Sequence, residues 1–377
     1  MKRLIMIVIS GLLLAACGQA AAEASLISEG VEPEGFTRAD GPRAWDFPAD
    51  YGPHPDYQTE WWYYTGNLTS PDGRHFGYQM TWFRRAVEPA PERTERESDW
   101  AVEQIYLAHF AVTDVGGGTY QAFERFSRGA ADLAGAQGDP YRVWLEDWYV
   151  ETIGPETYAM FAEAEGVTLD VEMVSRKEPV LQGEQGYSQK GPEPGNASYY
   201  NSLTRLETTG TITVDGETFE VSGMSWKDHE FSTSALSDRQ IGWDWFSIQL
   251  DDGTDLMFYH VRREDGSIDR LSKGSLSDAQ GNTRVILYRE DDYIIDVTDT
   301  WTSRETGATY PAGWEVTIPS ADMTITIEPL LADQELNVSY AYWEGAVRVS
   351  GTHNGQPVSG FGYVELTGYA SSMEDQF

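Results

Sequence analysis

The 377-residue chain has one cysteine, five lysines among its 26 Lys and Arg, and no sustained helical periodicity after its first residues. One cysteine, at position 17, leaves no internal disulfide, no thiolate metal site and no cysteine nucleophile in a mature chain. The six histidines (54, 75, 109, 229, 260 and 353) are scattered, without His-x-x-x-His or comparable spacing, so no metal is expected. Gly-x-Ser-x-Gly is absent, and with it the serine nucleophile elbow. Gly-x-Gly-x-x-Gly and Gly-Lys-Ser/Thr are absent too, so no nucleotide cofactor is expected. With 61 Asp and Glu the net charge is −35, which argues against a nucleic-acid partner, because affinity for phosphate backbones comes from Lys and Arg. An acidic, lysine-poor surface is the composition expected of a salt-adapted protein, whose melting temperature rises with salt.

What is present is apolar and aromatic. Hydrophobic residues make up 40% of the chain, with 13 Trp and 21 Tyr, so it folds into a core rather than remaining an acidic tail. Met1-Lys2-Arg3 and the apolar run Leu4 to Ala16 have the form of a signal peptide, too short for a permanent span. Leu14-Ala15-Ala16-Cys17 resembles the lipobox of bacterial lipoproteins. That resemblance implies a signal peptide over 1–16, lipidation of Cys17 and a membrane anchor. With Gly18 rather than Asp after the cysteine, the expected location is the periplasm, on the outer membrane. Residues 17–44, small and acidic, read as a flexible tether.

Beyond the tether, short alternating runs are separated by turn pairs: Asp72-Gly73, Asp215-Gly216, Asp252-Gly253, Asp265-Gly266 and Asn354-Gly355. Pairing Val214 with Glu217 sets Ile212 opposite Phe219 on one buried face. A weak repeat then fixes the architecture. Trp61 to Leu68, Asp72-Gly73 and Arg84-Arg85 have counterparts in Trp243 to Leu250, Asp252-Gly253 and Arg262-Arg263. Val167 to Val171 corresponds to Met323 to Ile327, and each unit closes with a turn-centred hairpin. The expectation is an all-β chain of two tandem antiparallel barrels, 45–235 and 236–377, with loops around 89–98 and 183–194 over the mouth of the first.

Five segments carry a resemblance. Tyr51 to Leu68 (YGPHPDYQTEWWYYTGNL), Tyr106 to Phe110, Ser225 to Ser232 (SWKDHEFS), Gly242 to Phe246 and Gly362 to Tyr369 look like the signatures of the AttH/carotenoid 1,2-hydratase-like family. The resemblance implies a pair of lipocalin-like barrels. The family's named enzyme adds water to an isolated carbon–carbon double bond, which takes a general acid, an aromatic wall for the cation and a placed water. Carotenoid hydratases carry Asp-His-Asn-Trp where this chain has Asp228-His229-Glu230-Phe231, so Glu230 and Phe231 depart from that enzyme and the AttH-type branch fits better.

The candidate catalytic residues are therefore His229, Asp228 and Glu230, with His229 on one face of a strand and its neighbours on the other. Trp226, Phe231, Trp243, Trp245, Tyr259, Tyr342 and Trp343 are the candidate ligand-binding aromatics. Glu60, ahead of Trp61-Trp62, calls for a cation such as Arg84 or Arg262. His109 reads as a satisfied core histidine, and His54, between two prolines, as a loop-shaping residue. Two functions follow, ahead of a third, a structural surface lipoprotein with no pocket. One is a carrier of an apolar, isoprenoid- or lipid-like ligand, with an ABC-type permease as partner. The other is a cofactor-independent hydratase, lyase or cyclase acting on an unsaturated substrate. A carrier needs an apolar cavity with few convergent polar groups, whereas an enzyme needs acid–base groups at the pocket wall.

Overall fold

The computed structural model describes residues 35–89, 103–233 and 236–373. The signal peptide, Cys17 and most of the 89–98 loop lie outside these residues. The first sheet holds β1 (Thr59–Thr69), β2 (His75–Ala86), β3 (Gln104–Asp114), β4 (Thr119–Arg128), β5 (Ala134–Gly138), β6 (Tyr141–Leu145) and β7 (Trp148–Gly154). It continues with β8 (Thr157–Ala164), β9 (Val167–Ser175), β10 (Val180–Leu181), β11 (Tyr187–Gln189), β12 (Ala197–Val214) and β13 (Glu217–Ser232). The second holds β14 (Gln240–Leu250), β15 (Asp255–Arg263), β16 (Lys273–Ser277), β17 (Thr283–Leu287) and β18 (Ile294–Thr302). Its remaining strands are β19 (Thr309–Ile318), β20 (Met323–Pro329), β21 (Glu335–Asn337), β22 (Ala341–His353) and β23 (Gln356–Leu366).

The strand order is 4-3-2-1-13-12-9-8-7-6-5 in the first sheet and 17-16-15-14-23-22-20-19-18 in the second. Both are antiparallel and curled, the first into a near-barrel and the second into a half-barrel. The repeat is visible as topology. Each sheet pairs its first strand with its last, β1 with β13 and β14 with β23, and β9 and β20 occupy matching places. Ile212 does lie opposite Phe219. In β9 the alternation is plain: Val167, Leu169, Val171 and Met173 are buried, and Asp170 and Glu172 are exposed.

Each curl is filled by its own side chains. Trp62, Trp82 and Trp148 are wholly buried in the first, Trp314 and Trp343 in the second. The sheets meet back to back, through outward-facing residues that form a third cluster with Tyr63, Tyr200, Trp226, Trp245 and Tyr259. The approach is close at Gly77, where a Cβ would lie 2.4 Å from that of Ala346, so a side chain at position 77 would push the sheets apart.

Candidate active site

The stretch Trp226 to Phe231 on β13 is buried throughout. Alternation splits it. Trp226, Asp228 and Glu230 face the second sheet, while Lys227, His229 and Phe231 face the first sheet's interior and its N-terminal strap. The first set opens onto a pocket between the sheets. Trp61 and Tyr63 of β1, Thr81 and Phe83 of β2 and Tyr200 of β12 form one wall. Trp243, Trp245, Tyr259 and Val261 of β14 and β15 form the other, with Glu365 of β23. Lys190, just after β11, completes it.

Asp228 accepts three hydrogen bonds, from Tyr200 Oη (2.5 Å), Ser202 Oγ (2.5 Å) and Trp226 Nε1 (2.7 Å). Burial pushes its pKa up to about 7, the neutral donors opposing and the Glu230 charge reinforcing the rise. Trp245 Nε1 donates to Tyr200 Oη (3.0 Å), fixing the direction of that hydroxyl. Glu365 accepts a side-chain hydrogen bond from Trp243 Nε1 at 2.6 Å, and burial raises it too to about 7. Glu344 lies directly across from Glu365 in the β22–β23 register. It is fully buried, accepts from Tyr63 Oη (2.9 Å) and is held well above the usual carboxylate range by burial and by Glu365. Glu230 differs because Lys190 Nζ sits 3.1 Å away. Burial works against the Lys190 charge, but Glu230 and Tyr259 outweigh it and raise its pKa.

His229 lies on the opposite face of β13 from the pocket and does not meet the two carboxyls it was expected to work with. Its ring stacks on Trp62 (centroids 5.1 Å apart), and Nε2 lies 2.8 Å from Glu60 Oε1. Burial lowers its pKa to about 4, so the ring is neutral. Glu60 is wholly buried and held by Arg84 Nε (2.8 Å) and by the His54 backbone N–H (2.9 Å) and Nδ1 (2.9 Å). Burial opposes ionisation there, yet Arg84 and the two histidines keep Glu60 well below the ordinary carboxylate range. His54 Nε2 lies 3.1 Å from Asp50, which Arg43 holds at 2.8 Å. With both ring nitrogens on carboxylates His54 is an imidazolium, its pKa raised against the cost of burial. His54, read from the sequence as a loop residue, therefore pins the segment before β1 onto the sheet.

One donor atom each from His54, Glu60 and His229 lies within 4.8 Å of the others, close enough to hold a metal ion. The charges favour the staple. Glu60 and Asp50 are already matched by Arg84, His54 and Arg43, so a dication would add buried positive charge beside a guanidinium.

The expected aromatics divide. Trp243, Trp245 and Tyr259 line the pocket, and Trp226 supports it through Asp228. Phe231 stacks instead on His54 (3.5 Å), because alternation carries it to the other face. Trp343 points into the second sheet, its Nε1 bonded to the Ala332 carbonyl. Tyr342 lies elsewhere on the junction, its hydroxyl 2.7 Å from His109 Nδ1, while Glu124 holds the other nitrogen of that buried histidine. Arg84, rather than Arg262, is the partner of Glu60; Arg262 pairs with Asp244. The 183–194 loop, expected over the barrel mouth, carries β11 along β12 and delivers Lys190 to the pocket. Glu365, Glu344, Lys190 and Tyr200 are site residues the sequence reading did not single out. For Glu365 a signal was present, a carboxylate between Val364 and Leu366 in an apolar strand.

The family model for AttH-like proteins matches residues 38–369, and the chain belongs to that family. The fold agrees with the crystal structure of an AttH candidate (NE1406) from Nitrosomonas europaea, 36% identical, TM-score 0.78, over 89% of this chain and all of that one. Kievitone hydratase from Nectria haematococca shares the fold at 16% identity and TM-score 0.66, over 90% of this chain and 98% of that one. Dehydratase asqC of Emericella nidulans is 24% identical over 213 residues, 53% of this chain. That match spans 58% of the dehydratase's length.

Proposed function

We propose that this AttH-like protein is a cofactor-independent acid–base enzyme that adds water to, or removes it from, an unsaturated apolar substrate. The observation that carries the reading is the pair of buried carboxyls titrating near neutrality, Asp228 and Glu365, on a wall otherwise aromatic. A carrier has no need of such groups. General acids and bases work best with pKa values near the working pH, and a positioned one contributes about 10²–10⁴-fold.

The hydrogen bonds suggest the roles. Three donors on Asp228 stabilise its carboxylate, which suits it to take a proton from water. Glu365 has one donor on one oxygen, leaving the other to carry a proton into the pocket. In hydration Glu365 would protonate one alkene carbon while the neighbouring carbon becomes cationic against the Trp and Tyr faces. Water activated by Asp228 would then add to that carbon. Dehydration runs the same steps backwards. The hydratase and dehydratase named among the related proteins are consistent with this class, and the substrate itself belongs to this chain alone. The reading includes the lipid anchor at Cys17, which would hold the pocket near a membrane; mass spectrometry of the mature N-terminus tests that part.

The test is incubation with a panel of polyenes and β-hydroxy ketones in ¹⁸O-labelled water, followed by mass spectrometry. Gain or loss of one water by the wild type, reduced at least ~100-fold in Glu365→Gln and Asp228→Asn, supports the assignment. Conversion untouched by either substitution would sink it. Stoichiometric binding of such compounds without conversion returns the protein to the carrier class.

A further inference from the structure

A groove lies beside β11, between that strand and the β16–β17 edge of the second sheet. Arg270, Lys273 and Arg289 converge on it, together with the apolar side chains of Leu271, Val285 and Leu287. Glu184 is its one acidic lining residue. In a chain with 61 acids and 26 Lys and Arg this balance is unusual. Cations near the reaction pocket are paired: Arg84 with Glu60, Lys190 with Glu230, Arg262 with Asp244. Among the described residues, by contrast, Arg270 and Lys273 have no carboxylate in salt-bridge range. Arg289 reaches only its exposed neighbour Glu290, at 3.5 Å, a contact worth little.

Lys273 is 92% buried, and its Nζ donates to the Gln189 carbonyl at 2.8 Å. An ammonium carries three protons, and among the described residues this is the one hydrogen bond that Nζ donates. Burial lowers its pKa, Tyr259 and Glu230 opposing the fall and the charges of Lys190 and Arg289 adding to it. Val285, on the edge strand β17, is one of the few large apolar side chains left exposed, at 38%. The groove thus joins an unfilled demand for negative charge to uncovered apolar surface. We propose that it binds an oxyanion head group, a carboxylate or a phosphate, carried on an apolar chain. The net charge of −35 does not prevent this, because screening over ~8 Å at physiological salt leaves the nearest cations dominant. The inference is independent of the proposed reaction: Gln189, the last residue of β11, lines the groove, and Lys190, which follows it, lines the reaction pocket.

The test is calorimetry on the full chain with dodecanoate, dodecyl phosphate, dodecyltrimethylammonium and inorganic phosphate. Both anionic amphiphiles should bind one to one. Arg270→Glu with Arg289→Glu, both at exposed positions, should weaken them at least ~10-fold with the melting temperature unchanged. Trp243→Ala, in the reaction pocket, should leave this binding intact. A tenfold preference for one anionic head group would identify the source. The proposal is overturned if neither anionic amphiphile binds, if the cationic one binds more tightly, or if the double charge reversal changes nothing. Inorganic phosphate binding as tightly as dodecyl phosphate would remove the apolar half of the assignment.

Discussion

Glu60 and Asp228 stand on neighbouring strands, equally removed from water, and burial drives both toward the neutral form. They end on opposite sides of the ordinary carboxylate range. Glu60 meets a guanidinium and an imidazolium and stays ionised, whereas Asp228 meets a phenol, a hydroxyl and an indole, and rises to about 7. The charge of the partners, rather than the depth of burial, separates a staple from an acid–base group. The two lie on opposite faces of the same paired strands, β1 and β13, so the sheet keeps their fields apart.

The largest way to break this contrast is Arg84→Met, which strips the permanent cation from Glu60. A buried carboxylate left with only the His54 imidazolium, which it shares with Asp50, should cost about 3–5 kcal/mol in urea unfolding at pH 7, with more than half returned by adding Glu60→Gln. Next comes Asp228→Asn. The folded pKa is about 7 against an ordinary 3.8, so the wild type binds this proton more tightly when folded. That contribution is complete below pH ~4 and is lost as the pH rises through ~7. The asparagine variant should match the wild type near pH 4 and exceed it at pH 8 by on the order of 4 kcal/mol. Equal stabilities at both pH values would mean that folding does not raise the Asp228 pKa above its ordinary value.

His54→Gln sharpens the other side. The raised His54 pKa adds stability below ~6.5 that fades as the pH rises through its folded value, so the loss should be larger at pH 5.5 than at pH 9, about 1–2 kcal/mol. Smallest is Trp243→Phe, which removes the indole donor holding Glu365 down and should move that carboxyl's titration upward in ¹³C NMR. A downward shift would mean that the indole is not what stabilises the carboxylate.

Period-two alternation made much of this legible. It separated His229 from Asp228 and Glu230, paired Ile212 with Phe219 and exposed the repeat that became two sheets of matching order. It also marked Glu60 as a buried charge in need of a cation. It could not say which face of an aromatic strand looks into a curl and which looks out. Trp243 and Trp343 read alike in sequence, yet the first lines the pocket and the second fills the half-barrel. That choice depends on how far each sheet closes, which pairings distant along the chain decide. The carboxylate partners of His54 and the place of Lys190 are hidden for a related reason, since both residues arrive on irregular segments whose course no periodicity encodes.

The pocket is built from the outward sides of two sheets, each holding its own packed interior. Replacing Trp61, Tyr259 or Val261 alters what the pocket accepts while leaving the tryptophans at the heart of each curl in place. Selection can therefore change what the pocket accepts while the scaffold stays constant, with each sheet free to contribute its own side of the change.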